Sequence, residues 1–317
     1  MRALTVASTL SMVLTGCAQP AATPQQAPAS PAPEKFSIAI FPDTQYAADS
    51  YPEVFEAQGK WVAENKESRR IAYGIHTGDV VDESDQEDQW SNAKKAMAPL
   101  DGTVPYIVGV GNHDMDAMPD GGDPKKDRDA DAFNENFPVS KFSDLPSFGG
   151  SLPAGKNDNS FHTFRAGGTD WLVLTLKYAP TDEEIAWGNE VISDHPRHQV
   201  MLATHGYQKG TEKDKVGKQL WSELVSKHKN ISFVFSGHYH TQGVIEEEGD
   251  QGNTVYQVQA DYQESDERDP NSYLRMMEFD PVANTVSVQT YSPYLKKNLT
   301  DDENQFTIDG VDFMPAA

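Results

Sequence analysis

Five short clusters of metal-binding side chains stand in order along one chain. They read Asp43-Thr44-Gln45, Gly78-Asp79-Val80-Val81-Asp82, Gly111-Asn112-His113-Asp114, Thr204-His205 and Gly237-His238-Tyr239-His240. Each closes an apolar, strand-like run. Carboxylate, amide and imidazole donors without a thiolate suit Mn, Fe or Zn better than Cu(I). There are enough of them to give each of two divalent ions three ligands. One carboxylate can bridge two ions, and a pair ~3.5–4 Å apart clamps the attacking and leaving oxygens of an in-line displacement. That is phosphoester hydrolysis. The competing chemistries lack their equipment: there is no Gly-x-Ser-x-Gly elbow, no glycine-rich phosphate loop with Lys and no dinucleotide fingerprint.

Such a site needs a scaffold that brings distant loops together. The run FSIAIF (36–41) reads as a strand and 54–66 as a helix. IAYGIHT (71–77) is a strand, 88–97 a helix and VPYIVGV (104–110) a strand. The order strand, helix, strand, helix, strand argues for α/β organisation with a sheet buried on both faces. In a mostly parallel sheet, ligands belong just past the carboxyl ends of strands, where all five clusters lie. Further strands are expected at 170–177, 199–203 and 231–235, and helices at 183–192 and 216–228. Short strands at 254–260, 274–280 and 285–290 read as mostly antiparallel, completing a second sheet. Residues 115–159 break the rhythm, with one short helix at 131–136. Long irregular segments are usually functional, and this one starts at His113-Asp114, so it is expected to rim the site. Its acidic stretch fits no EF-hand and reads as a solvated loop.

The chain has 317 residues, with 26 basic and 49 acidic side chains for a formal charge of -23. That surface repels nucleic acid and anionic headgroups, so no nucleic-acid partner is expected. It also requires bound dications to invert the field locally if the substrate is anionic. The one cysteine, Cys17, excludes an intrachain disulfide. It follows a short apolar stretch too brief to span a ~30 Å hydrocarbon core. Leu14-Thr15-Gly16-Cys17 resembles a bacterial lipobox. The expected organisation is a lipoprotein signal peptide at 1–16, a lipidated Cys17 with an Ala/Pro/Gln tether to residue 35, and one domain from 36 to 317. The expected location is extracytoplasmic, lipid-anchored through Cys17 only, in the outer membrane of a diderm cell.

Together the clusters resemble the calcineurin-like metallophosphoesterase superfamily over residues 37–263. Its pattern is Asp-x-His, Gly-Asp-x-x, Gly-Asn-His-Asp/Glu, a later His and Gly-His-x-His. The resemblance implies a four-layer α-β-β-α sandwich, two mixed sheets flanked by helices. It implies that Asp79 bridges two metals, with Mn, Fe or Zn expected. Asp43, His240 and the residue at 45 would hold the first, and Asn112, His205 and His238 the second. A bridging hydroxide would be the nucleophile. His113 would protonate the leaving oxygen or stabilise charge, oriented by Asp82. The departure is Gln45, where the family usually has His. Gln offers a neutral amide oxygen, so Gln45 is read as a weak ligand of a more exchangeable ion. The implied activity is hydrolysis of a small-molecule phosphoester or phosphoprotein, monoesters ahead of diesters. A cyclic-nucleotide or phospholipid phosphodiesterase is the rival enzyme. A metal-binding surface lipoprotein without turnover is the rival of another class. The oligomeric state is not legible.

Several polar residues read as structural. His76 sits inside a strand and belongs to the core or behind the ligands, and His162 reads as packing. Asp114 shapes a turn. Tyr239 packs, or contacts substrate. Tyr262 and Gln263 could line the pocket, and the five tryptophans read as core anchors.

Overall fold

The run Phe36–Phe41 is apolar on both faces, and the fold uses both. Ile38 and Ile40 point into one hydrophobic cluster, and Ala39 and Phe41 into another. A strand turns alternate side chains to opposite faces, so this one is covered on two sides. A computed structural model describes residues 33–115, 129–263 and 273–316. The expected signal peptide, Cys17, nearly all of the expected tether and most of the acidic stretch after Met115 lie outside the described residues.

The strands are β1 (Phe36–Phe41), β2 (Ile71–His76), β3 (Tyr106–Val108), β4 (Phe148–Leu152), β5 (Asn159–Ala166), β6 (Thr169–Leu176) and β7 (Gln199–Thr204). A small hairpin, β8 (Gln208–Lys209) and β9 (Glu212–Lys213), precedes β10 (Ile231–Ser236), β11 (Gln242–Glu248) and β12 (Thr254–Ala260). The last are β13 (Leu274–Asp280), β14 (Thr285–Ser292), β15 (Lys297–Leu299) and β16 (Gln305–Asp309). The helices are α1 (Gln45–Ser50), α2 (Pro52–Glu64), α3 (Glu87–Met97), α4 (Asp131–Asn136), α5 (Asp182–Asp194) and α6 (Lys215–Glu223).

Two seven-stranded mixed sheets result. One runs β15-β14-β13-β1-β2-β3, with β16 also on β14; the other runs β11-β12-β10-β7-β6-β5-β4. Between them lies a core of Ile38, Ile40, Tyr73, Ile75, Trp171, Val173, Met201, Phe233, Phe235 and Phe279. The outer face of the first sheet packs Phe41 and Ala39 against Phe55, Val62, Trp90 and Met97 of α2 and α3. The outer face of the second packs Leu172, Leu174, Val200 and Leu202 against Ile185, Val191 and Leu220 of α5 and α6. The architecture is the expected α-β-β-α sandwich.

Three local expectations change. The strands at 274–280 and 285–292 do not complete the second sheet. β13 pairs antiparallel with β1 and β14 with β13, so both extend the first. β12 does join the second sheet, but parallel to β10. The stretch 115–159 is not one loop. Phe133, Phe137 and Phe142 are buried, with Phe133 and Phe137 against Trp90 at 6.2 and 6.3 Å between ring centres. β4 and β5 pair antiparallel at its end. Burying aromatic rings is a large apolar gain, and it makes residues 133–142 part of the helical layer.

Candidate metal centre

The parallel strands bring the five clusters to one end. β1 pairs parallel with β2 and β2 with β3; in the other sheet β7 lies parallel to β10. Their carboxyl ends therefore point the same way, and the loops after β1, β2, β3, β7 and β10 carry Asp43, Asp79, Asn112–Asp114, His205 and His238–His240.

Buried polar groups fasten these loops to each other. The Asp114 carboxylate accepts from the backbone N–H groups of Val80 (2.8 Å), Val81 (3.2 Å) and Gly111 (2.8 Å). It thus staples the second cluster to the third, which is the turn-shaping reading of this residue. Burial, then the charge of Asp79, pushes its carboxyl up to about 7. His76 Nδ1 accepts from the Gly78 N–H, so its Nε2 carries the proton and donates to Thr44 Oγ1 at 2.9 Å. The Thr44 hydroxyl in turn donates to the Val80 carbonyl, and the Thr44 N–H to that of Asp79. His76 is thereby a buried fastener, not a ligand. Two glycines of the motifs are explained by close approach. A Cβ on Gly111 would lie 2.0 Å from Asp79 Oδ1, and one on Gly237 would lie 1.8 Å from Asp43 Oδ1.

The tightest group is Asp79, His205 and His238. One ligand atom from each lies within 4.8 Å of the others. Asp79 sits at φ +50°, held by the fasteners around it. Its Oδ1 accepts from the His113 N–H at 2.9 Å, and its Oδ2 lies 3.0 Å from His205 Nε2. His205 donates from Nδ1 to the Thr77 carbonyl at 3.2 Å, which leaves Nε2 facing the carboxylates, 3.9 Å from Asp43 Oδ2. Burial pulls His205 down, but Asp79 and Asp43 outweigh it and hold the imidazole up at about 10. His238 goes the other way: burial and the positive charge of His205 press it down to about 3. Asp43 accepts from the His238 N–H at 2.9 Å. Its carboxyl is raised by burial and by the neighbouring Asp261.

The remaining predicted residues are placed as follows. Gln45 opens α1 and is buried, and its side chain hydrogen-bonds Asp82. Asn112 is buried. His240 stands exposed at the rim. His113 Nδ1 donates to the Asp82 backbone carbonyl at 2.7 Å, and the Asp82 carboxylate is the longer contact at 3.3 Å. Asp82 thus orients His113, but chiefly through its main chain. This leaves Nε2 of His113 to face the site.

Whether metals fit can be judged from oxygens that lack donors. Asp43 Oδ1, Gln45 Oε1 and Asn112 Oδ1 are buried and have no hydrogen-bond partner. A buried acceptor left unpaired costs about 1–3 kcal/mol. Three on adjoining loops, beside an imidazole–carboxylate pair, are what bound cations would satisfy. The donor set fits two divalent ions.

The sequence alone gives two residues at this end no role. Tyr178 directly follows the strand end at Lys177, and its ring packs 4.9 Å from His238 and 5.8 Å from His205. It is anchored by a buried ion cluster in which Lys177 Nζ meets Asp158 at 3.0 Å and Glu184 at 3.3 Å. Asp261 follows β12 and is 1% exposed. Both obey the same carboxyl-end rule as the five clusters. Conversely, Tyr262 is buried, donating to Asn304 and accepting from Arg275, so it does not line the pocket. His162 is also structural: its Nδ1 pairs with the Tyr73 hydroxyl at 2.7 Å, among Phe142 and Phe148. Of the tryptophans, Trp90 and Trp171 are core; the other three are half-buried on helix faces.

Comparison with known proteins bears on this geometry. Residues 36–242 match the family model for calcineurin-like phosphoesterases. The chain is 35% identical over 282 residues to the uncharacterized protein YvnB of Bacillus subtilis, covering 86% of this chain and 21% of that protein. It is 25% identical over 162 residues to purple acid phosphatase 23 of Arabidopsis thaliana, covering 48% of this chain and 32% of that one. It therefore spans a third or less of either relative. Among solved structures, purple acid phosphatase PPD1 of yellow lupin (Lupinus luteus) superposes with a TM-score of 0.56 at 14% identity, over 87% of this chain and 54% of that chain. That likeness is one of fold.

Proposed function

The chain belongs to the calcineurin-like phosphoesterase family, and from that premise we propose that it is a dinuclear-metal hydrolase of phosphate esters that prefers monoesters to diesters. The observation that carries the reading is the convergence of Asp79, His205 and His238 beside the unpaired oxygens of Asp43, Gln45 and Asn112.

In this reading Asp79 would hold both ions, with Asp43, Gln45 and His240 holding one and Asn112, His205 and His238 the other. The ions, when bound, supply activation of a water for in-line attack and neutralisation of phosphate charge. The side chains do the rest. His205, fixed by the Thr77 carbonyl, presents Nε2 as a lone pair once its proton is displaced. His113, fixed through Nδ1 by Asp82, presents Nε2 to the leaving oxygen and gives it a proton. A monoester dianion gains more from this positive focus than a diester monoanion does. The reading extends to export and lipid attachment at Cys17, tested by the mass of the mature amino terminus.

The deciding assay uses Mn-loaded protein with an aryl phosphate and an aryl phosphodiester, before and after chelation. Faster turnover of the monoester, lost with the metal and regained on its return, is expected. Faster diester turnover would shift the substrate class. No turnover of these or of several natural esters, with both ions bound, would leave a non-catalytic metal-binding protein.

A further inference from the structure

β12 ends where the ligand-bearing strands end, because it lies parallel to β10. The first residue beyond it is Asp261. Its N–H donates to the carbonyl of Thr241, the neighbour of His240, at 3.2 Å. Two residues back, Gln259 Nε2 donates to the carbonyls of Tyr239 (2.7 Å) and Gly237 (3.4 Å). These contacts clamp the end of β12 to the turn that carries His238 and His240. The Asp261 carboxylate is itself fixed, since Gln263 donates to Oδ1 from its backbone (3.0 Å) and to Oδ2 from its side chain (3.1 Å).

Asp43 grips the same turn from the other side, through the His238 N–H. Two buried carboxylates therefore flank one turn, close enough that the charge of Asp261 is, after burial, the main influence raising Asp43. Among the described residues no lysine or arginine forms an ion pair with either. Burying like charges together is unfavourable unless a cation offsets them. Asp43 Oδ1 and Gln45 Oε1 are buried and unpaired. The imidazole nearest to Asp43, His205, lies 3.9 Å from its Oδ2 and is already paired with Asp79 at 3.0 Å.

We propose that Asp261 is a positioning and specificity-determining carboxylate of the half-site formed by Asp43, Gln45 and His240, where it makes up the attraction lost with a neutral amide at position 45 and narrows the advantage of Zn2+ over Mn2+. The proposal rests on the two-metal reading above. Oxygen donors and negative charge suit Mn2+, whereas imidazole suits Zn2+. Polar groups that stand behind the direct ligands typically change metal affinity about 10- to 100-fold when removed.

The test is calorimetric titration of chelated protein with Mn2+ alone and with Zn2+ alone. In Asp261→Asn, one of the two Mn2+ sites should weaken by about 10- to 100-fold, while the other is unchanged. Asp261→Glu, which keeps the charge, should recover part of that loss. Gln45→His in the Asp261→Asn background should restore retention of Zn2+ but not of Mn2+. Wild-type Mn2+ binding in Asp261→Asn, or equal weakening of both sites, would overturn the proposal. Should that variant not fold, Gln263→Ala releases the carboxylate without removing it. Loss at one site would then support the proposal, and unchanged binding would overturn it. These titrations use no substrate. A wild type that binds two Mn2+ but hydrolyses no ester would defeat the phosphoesterase reading and leave the Asp261 result standing.

Discussion

The two sides of the ligand cluster solve the same problem differently. On the histidine side, His205 and Asp79 already form a buried pair at 3.0 Å, and His238 closes on them. Charge is balanced before any ion arrives, and aromatic rings wall it in: Tyr178 and Tyr239 pack 4.9 and 4.6 Å from His238. On the oxygen side, Asp43 and Gln45 keep unpaired buried oxygens, Asp261 adds a second buried carboxylate, and His240 is exposed. His205 reaches that side only at 3.9 Å from Asp43 Oδ2, being already paired with Asp79 at 3.0 Å. The first side is preorganised and must release a proton to bind metal; the second is poised for a cation and open to solvent. The physical lesson is that a two-metal site need not be built as two equal halves, and that ion exchange should be easier at the oxygen side.

The largest expected effect comes from the residue that joins the sides. Asp79→Asn keeps the shape, and Asn tolerates the positive φ at this position better than most residues do. It should lose both ions and reduce phosphoesterase activity to the level seen without enzyme. Metal analysis after gel filtration checks this. Loss of only one ion would mean that Asp79 serves a single side, and the comparison would have to be redrawn with two independent sites. Next in size is His113→Ala, at a residue that belongs to neither side. It should cut kcat by about 10²–10⁴-fold, more for poor leaving groups than for good ones, with both ions retained. Metal loss in this variant would show that His113 supports a ligand rather than the leaving oxygen.

Much of this arrangement was legible in the sequence, for a definite reason. Asp43, Asp79, Asn112, His205 and His238 follow runs so apolar that they could only be strands buried on both faces, and the carboxyl ends of such strands are where ligands gather. Histidine and asparagine there stand out against the apolar background. Asp261 and Tyr178 obey the same positional rule, but the sequence alone gives neither a role at the site. An Asp after a strand is ordinary turn chemistry, and only the parallel pairing of β10 with β12 places it at this end. Nor does the sequence say which sheet a late strand joins. β14 alternates as an antiparallel strand should, but what places it in the first sheet is β13, whose partner β1 lies more than two hundred residues away in the chain. β4 and β5 were hidden by Gly149, Gly150 and the polar run from Asn157 to Ser160, which read as loop until paired.

The pH dependence of stability should separate the sides without any assay of activity. In chelated protein His205 is held at about 10, above its ordinary 6.5. A pKa raised by folding gives stability that is complete below the unfolded value and is lost as pH climbs to the folded one. The window is therefore pH 6.5 to about 10. Asp114, raised to about 7, acts in the same direction but is spent by neutrality. His238, depressed to about 3, works oppositely: its contribution is present above 6.5 and is lost as pH falls. On the alkaline limb His205 acts alone of the two, and the Tm of chelated protein should decline from neutrality to pH 10. A metal ligand must be a neutral imidazole, so Mn-loaded protein should show a flatter limb. Thermal scans at several pH values, with chelator and with Mn2+, measure both. Parallel curves would mean that His205 does not exchange its proton for metal, and the histidine side would lose its place in the site.

The smallest effect sharpens the comparison at its edge. Tyr239 sits between His238 and His240, and either packs or meets substrate. Its hydroxyl donates to Asp214 Oδ2 at 3.0 Å, and the other oxygen of Asp214 caps α6 through the Gly217 N–H at 2.6 Å. Burial, then Asp214, raises the phenol above its ordinary value, so it stays protonated and that proton is already committed. A hydroxyl tied to a helix cap is a structural group, and its ring is the part that faces His238. Tyr239→Phe keeps the ring and removes one half-buried hydrogen bond, which should cost about 0.5–1.5 kcal/mol of stability with metal content and kcat unchanged. Denaturant melts and steady-state kinetics on the same preparation give both numbers. A fall in kcat/KM at full metal occupancy would mean that the hydroxyl leaves Asp214 for substrate, and the aromatic wall of the histidine side would then be a recognition surface as well as a packing one.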